Sequence, residues 1–566
     1  MGSIIMRPSS FTYRSVCLII GFTILCCQSR RPNTKESLAN IDLLRGNIQL
    51  CGSGKFGEVR FSLSCQPETQ ESFNLGLSLL HSFEYDEAEK AFVKVIDKDP
   101  NCVMAYWAIA MCNFHSLWLQ SGTDYLEKGS KILQAAESLP KSEIEQDYLL
   151  AIGAFYTDWK TLDHATRIRR FEKKMEALYR KYPDDNEAAI FYALALTTVA
   201  DPADKTYTFQ KKSGAILETL FQDQPNHPGI AHYIIHNYDY PELAERALPT
   251  ARRYAQIAPA SAHAQHMPSH IFTRLGLWKE AIQSDLNSTA AALCYGKSID
   301  STAHWDEELH GMDYLVYAYL QMGDNPKAKA IDDYLKSFKK VFPVNFKIAY
   351  SAAAIPSRIA LENRNWKGAA KIQVPAVEMD WKNFPWQLSI VHFTRALGSI
   401  RSGDIASSES ELSAMNALHQ QLLTEQNTYM ANQVMIQIKI VDAWLKWARG
   451  AQLLAVEWMK EAVAMEYGTS KHPVTPGEVL PAGELLGDLY ILLNKPIEAL
   501  AAYETDLKVH PNRFNGIYGA AVAANRAGNK MKAIDYFSQL LKITEGTGSD
   551  RKELAEDRAF LDQLSN

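Results

Sequence analysis

The segment Gly487–Pro511, GDLYILLNKPIEALAAYETDLKVHP, is the stretch from which the fold of this chain can be read. It places small residues at 487 and 499, an aromatic at 503 and a proline at 511. At a shift of 34 positions, Ala521, Ala533 and Phe537 repeat the phase of 487, 499 and 503. Gly76, Ala88, Phe92 and Pro100 carry the same spacing near the other end. Small residues let two helices approach closely, and proline cannot continue a helix because it lacks an N–H and clashes with the preceding turn. The pattern predicts helical hairpins stacked one on the next.

Weaker copies fill the space between. Ala247 with Pro259, Ala281, Ala328, Ala369 and Ala455 fall at the small position of a second helix. Gly276, Gly323, Gly403, Gly450 and Gly528 fall in the turns between paired helices. Roughly ten to twelve units fit between residues 68 and 545, with the 34-residue period of the tetratricopeptide repeat (TPR). The expected fold is all-α, a TPR-type α-solenoid forming a right-handed superhelix of helical hairpins, with a short irregular N-terminal cap. Its expected divisions are a signal segment at 1–27, the cap at 28–67 and repeats with a histidine-lined groove at 68–340. Degenerate repeats at 341–465, a Pro/Gly loop at 466–482, further repeats at 483–545 and a terminal helix at 546–566 complete the chain.

At 566 residues the chain is too long for one compact core, which agrees with an elongated array. A net charge of −6 and the lack of a long basic block exclude a nucleic-acid footprint. The start looks like an export signal: Arg7 and Arg14 precede the apolar run Val16–Cys27, and a polar run follows. Ile24-Leu25-Cys26-Cys27 resembles a loose lipobox with Cys27 as the lipid carrier, although ordinary signal cleavage and a retained anchor remain open. The expected location is periplasmic or outer-membrane-associated, with membrane contact only through that N-terminus. Cys51, Cys65, Cys102, Cys112 and Cys294 lie downstream, an odd number that leaves at least one unpaired. One disulfide is expected among the first three, and buried thiols at Cys112 and Cys294.

Two segments are distinctive: HPGIAHYIIHNYD at 227–239 and HAQHMPSHIFTRLG at 263–276. With DPNCVMAYW at 99–107 and PVTPG at 473–477, they resemble a bacterial branch of tetratricopeptide proteins described by its repeats rather than by an activity. The resemblance covers nearly the whole mature chain. It implies that one face of each first helix lines the concave groove of the superhelix.

Phase then gathers the histidines. His232 and His266, and likewise His236 and His270, are 34 residues apart. First helices at about 229–241 and 263–275 put His232, His236 and Asp239 on one face, and His263, His266 and His270 on the equivalent face of the next. His310 and Asp313 follow in register from a third repeat. Imidazoles on helices 8–10 Å apart can converge on one ion. Neutral imidazole suits zinc, copper, iron or nickel, and Asp239 and Asp313 could ligate the ion or orient rings. The same face could instead take a carboxylate, a phosphate or a peptide, or form a polar network that sets repeat geometry.

Trp107, with His115 and Trp118 close by, and Glu187 also fall on groove positions, although ordinary packing for the first group and helix N-terminal acidity for Glu187 are the commoner reasons for such residues. His472 lies in the rigid 466–482 loop, which either covers the groove or spaces the repeats. No GxxxxGK[ST], GxSxG or HExxH motif is present, so nucleotide hydrolysis, serine-hydrolase and thermolysin-type chemistry have no support. Three readings follow: an exported repeat protein whose groove binds a transition metal or small ligand, a metal-dependent enzyme using the same cluster, or a scaffold that captures a protein segment.

Overall fold

The structure, a computed structural model, describes Gly2, residues 38–117 and residues 122–565. The export signal and Trp118 lie outside the described residues. Hairpins run through the chain as α1 Gln70–His81 with α2 Tyr85–Lys98, α3 Val103–Cys112 with α4 Thr123–Ala136, and α5 Glu143–Tyr156 with α6 His164–Lys181. Next come α7 Asn186–Thr198 with α8 Thr208–Asp223, and α9 Pro228–Asn237 with α10 Ala244–Ile257. The pair α11 Ala262–His266 and α12 Pro268–Arg274 then packs on α13 Trp278–Ile299. After α14 Asp306–Gln321 with α15 Asn325–Leu335 come α16 Phe346–Glu362 with α17 Trp366–Ala369, and α18 Pro385–Arg401 with α19 Ile405–Thr424. The chain ends with α20 Thr428–Ala448 and α21 Gln452–Gly468, α22 Ala482–Leu492 and α23 Pro496–Val509, α24 Phe514–Arg526 and α25 Lys530–Ile543, and a last helix α26 Lys552–Ser565. Strand β1, Ala303–Trp305, pairs in parallel with β2, Lys340–Phe342. The fold is an all-α solenoid of tetratricopeptide type.

Small residues do the work the repeat pattern assigned to them. A Cβ on Gly487 would sit 2.5 Å from the ring of Tyr503, so only glycine admits that ring between the two helices. Gly276 turns between α12 and α13 with φ +64°, and a Cβ there would meet the Pro511 carbonyl at 2.5 Å. That contact joins the turn of the sixth hairpin to the connection between α23 and α24.

The inner helices are buried on every face. All residues of α3, α9, α11, α12 and α14 are buried, as expected for helices inside a filled array rather than along an open channel. The concave groove read from the sequence is therefore corrected to a packed axis. One element runs along its edge and another fills it. Residues 38–66 are irregular, without a strand, and cross from α2 to α13 through the Cys51–Cys294 disulfide. The loop after α21 enters from the other side, where Tyr314 donates to the Thr475 carbonyl (3.0 Å) and Arg358 to the Gly477 carbonyl (2.8 Å). Helix α21 runs through Gly468, so this loop starts later than residue 466.

The disulfide expected among the first three cysteines is present, and of the two expected buried thiols one is overturned. Cys65 pairs with Cys102, and Cys294 is a disulfide partner, not a buried thiol, because the N-terminal strap reaches it. Cys112 is the buried free thiol. Among the described residues no helix is long and apolar enough to cross a membrane.

Candidate metal centre

Local sequence explains how each imidazole is set. Pro228 opens α9, where its missing N–H is harmless, and the His227 side chain caps the helix by accepting from the Ile230 N–H. His232 and His236 follow one turn apart. Ser261 caps α11, which carries His263 and His266. Pro268 removes one backbone hydrogen bond, but Met267 keeps helical dihedrals (φ −51°, ψ −37°). His270 on α12 thus stays on the face of His263 and His266. His310 comes from α14.

The six rings form two sets of three. Donor atoms of His232, His236 and His263 lie within 4.8 Å of one another, and so do those of His266, His270 and His310. His232 Nε2 is 3.1 Å from His263 Nε2, and His266 Nε2 is 3.0 Å from His270 Nε2. Two nitrogens bound about 2.0–2.1 Å from a tetrahedral ion stand about 3.3 Å apart, so these spacings are close to a coordination edge. None of the six residues is more than 7% exposed.

Hydrogen bonding fixes what faces inward. His232 Nδ1 donates to the His81 carbonyl (2.6 Å), which can only accept, so its Nε2 carries a lone pair. His266 Nδ1 lies 2.6 Å from Asp285 Oδ1, and His270 Nδ1 lies 3.0 Å from Asp239 Oδ2. The Nε2 atoms of His266 and His270 meet at 3.0 Å, a contact that needs a proton or a metal cation between them. Burial, reinforced by neighbouring imidazoles, pushes His232, His236 and His266 well below the usual histidine range. Burial also lowers His270 to about 4 against the pull of Asp239. Neutral rings are the form that ligates metal.

Carboxylates stand behind the rings. Burial raises Asp239, but Lys471, Arg274 and His270 outweigh it and hold the carboxyl well below the carboxylate range. Burial keeps Asp285 well above that range, opposed by a hydrogen bond from Ser269. Glu307 lies 3.5 Å from His263 Nδ1 and is salt-bridged to Lys347.

Several expected residues sit elsewhere. Asp239 follows the end of α9 and orients His270. Asp313 pairs with Arg358 (3.1 Å), drawn there by the buried guanidinium, so it does not reach the rings. Trp107 packs in the core on Phe61, Tyr148 and Phe191 because α3 has no open face. Glu187 joins a separate group, with His81 Nε2 at 2.9 Å and His227 Nε2 at 2.8 Å. There His81 Nδ1 also meets Tyr233 OH (3.0 Å), and His227 Nδ1 accepts from Ile230, so each ring nitrogen is matched. A Cβ on Gly229 would lie 2.4 Å from His81 Nδ1, which is why glycine occupies that position.

His115 stacks on Tyr85, with Tyr125 tilted against its other side, and lines a cavity of about 280 Å³ that reaches His263, Glu307 and Lys347. Phe83, held at φ +58°, places its ring 4.4 Å from that of His232 at the same cavity. A larger apolar cleft of about 840 Å³, lined by Leu335, Phe338 and Ile359 among others, contains no histidine. His81, Asp285, Glu307 and Lys471 were absent from the sequence-derived set. Only Asp285 left a signal, as an acid four residues after Ala281 on the inward side of a second helix.

The result is a helical-repeat protein with a histidine-lined interior. No family model and no curated protein matches the chain. Among solved structures it is similar to a human IFIT1 dimer with PPP-AAAA, at 12% identity and a TM-score of 0.36, covering 82% of this chain and 95% of that one. It is also similar to Naa15/Naa10 bound to HypK-THB, at 14% identity and a TM-score of 0.24, covering 88% of this chain and 82% of that one.

Proposed function

We propose that this is an exported tetratricopeptide protein of the bacterial branch resembled by its histidine segments, and that it binds a transition metal inside the solenoid. The observation that supports the metal reading is the approach of His266 Nε2 and His270 Nε2 to 3.0 Å while carboxylates face both Nδ1 atoms. Zinc, copper, iron and nickel all accept such a donor set, and among the described residues no thiol joins it, which argues against a cuprous or iron–sulfur centre. Export is supported by two disulfides, which persist in oxidising compartments.

A protein segment bound along the axis would have to displace the loop containing Thr475 and Gly477, which disfavours the scaffold reading. An enzymatic role is favoured by one feature, the cavity that reaches His263. Elemental analysis of the untagged full chain, beside His266→Ala/His270→Ala, tests the proposal. Bound transition metal that is lost or reduced in a folded variant is the expected result. No metal in the wild type, even after reconstitution, would overturn it.

A further inference from the structure

Building on the metal-binding reading, we propose that the six histidines hold two ions side by side, His232/His236/His263 one and His266/His270/His310 the other, with a small anion shared between them. The donor atoms fall into two compact sets rather than one set of six. Yet the sets are adjacent. Ring centroids of His236 and His270 are 5.8 Å apart and those of His263 and His266 are 6.3 Å apart, while His270 and His310 within one set are 6.2 Å apart. Two-metal sites with ions about 3.5–4 Å apart need this kind of contiguity.

Each set also has its own outer support. The first leans on the His81 carbonyl and Glu307, the second on Asp285 and Asp239. Such partners orient ligating rings and fix their tautomers. Because an imidazole ligand brings no negative charge, two divalent ions held by six of them would leave a concentrated positive charge. A hydroxide or other small anion between them offsets it and screens their repulsion.

The two sets differ in access. Tyr314 lies over the second, with ring centroids 4.7 Å from His266 and 5.1 Å from His270, and its hydroxyl is tied to the axial loop. The first borders the 280 Å³ cavity through His263, with Phe83, His115 and Tyr125 in the wall. At about 30 Å³ per water, that space admits several waters or a small anion. Exogenous ligand therefore arrives at the His232/His236/His263 ion.

The test uses the untagged full chain, stripped with chelator and titrated with copper(II) or zinc. Two equivalents per chain are expected, and one in each of His232→Ala/His236→Ala and His266→Ala/His270→Ala, with helicity checked by circular dichroism. Because a variant could fail to fold, copper-loaded wild type is also examined by EPR, where a bridged cupric pair gives far less signal than its copper content. Azide should add a charge-transfer band. One equivalent in the wild type would overturn the pair while leaving the metal site standing, and zero would remove both readings. Two equivalents with full EPR intensity, or no response to azide, would overturn the shared, accessible anion.

Discussion

Lys471 Nζ lies 2.8 Å from Asp239 Oδ2, although 232 residues separate the two, and both side chains are buried. Asp239 Oδ2 also accepts from His270, and Oδ1 from Arg274. The ion pair thus links the axial loop to the imidazole cluster. Removing one partner of a buried pair leaves an uncompensated charge and costs about 3–5 kcal/mol. Arg274 remains beside Asp239, so Lys471→Met should fall at the lower end, about 3 kcal/mol. Amide exchange across residues 470–478 should accelerate by about 100-fold, with helices such as α18 unchanged. Unaltered exchange in the loop would show that the backbone contacts of Tyr314 and Arg358 hold it alone.

Asp285→Asn separates charge from packing. The amide oxygen can still accept from His266 Nδ1 while Ser269 donates alongside. Outer partners of ligating histidines typically contribute 10–100-fold to metal affinity. Competition with a chromophoric chelator should show a loss of that size with the helical spectrum retained. Equal affinity in variant and wild type would mean that Asp285 acts only in packing.

The 34-residue period and the histidine phase were legible because both are local: the repeat sets where a side chain points, and adjacent repeats bring equal phases together. What lay outside that logic was hidden. His81 and Lys471 come from opposite ends of the chain, and no spacing rule relates them to His232 or Asp239. Trp107 falls at a groove position by repeat phase, but phase cannot show that α3 is buried all round. Cys294 sits in an apolar helical stretch and reads as a thiol until the strap from residue 51 is seen. Asp313 held the right register, but Arg358, one repeat on, takes it up.

The two disulfides should contribute unequally. Cys51–Cys294 closes a span of 243 residues and Cys65–Cys102 one of 37. In the chain-entropy account these correspond to about 5.5 and about 4 kcal/mol. Cys51→Ser/Cys294→Ser should therefore lower the denaturation midpoint more than Cys65→Ser/Cys102→Ser, and it should also free the strap to proteolysis near Lys55. A larger loss from the shorter bridge would show that the strap is held by its backbone bonds to Asn226 and Ala260 instead.

His472 makes the axial loop sensitive to acid. Its ring stacks on Phe346 at 4.3 Å, lies beside Trp386 and Tyr429, and accepts the Val474 N–H at Nδ1. Burial, helped by adjacent Lys471, lowers it from 6.5 to about 3. The unfolded segment therefore binds a proton between those values while the folded one does not, and stability falls as pH drops. The contribution is fully present above 6.5 and is lost progressively toward 3, at about 1.4 kcal/mol per unit, or roughly 5 kcal/mol in all. His510, raised well above 6.5 because Asp506 and Glu478 outweigh its burial, acts in the opposite sense and loses its contribution as pH rises. From pH 6.5 to 4.5, opening of residues 470–478, read by exchange corrected for intrinsic rates, should increase about 100-fold. His472→Asn keeps an acceptor for Val474 but does not titrate, so its opening should stay nearly flat over that interval. Parallel profiles for variant and wild type would place the acid response in another group.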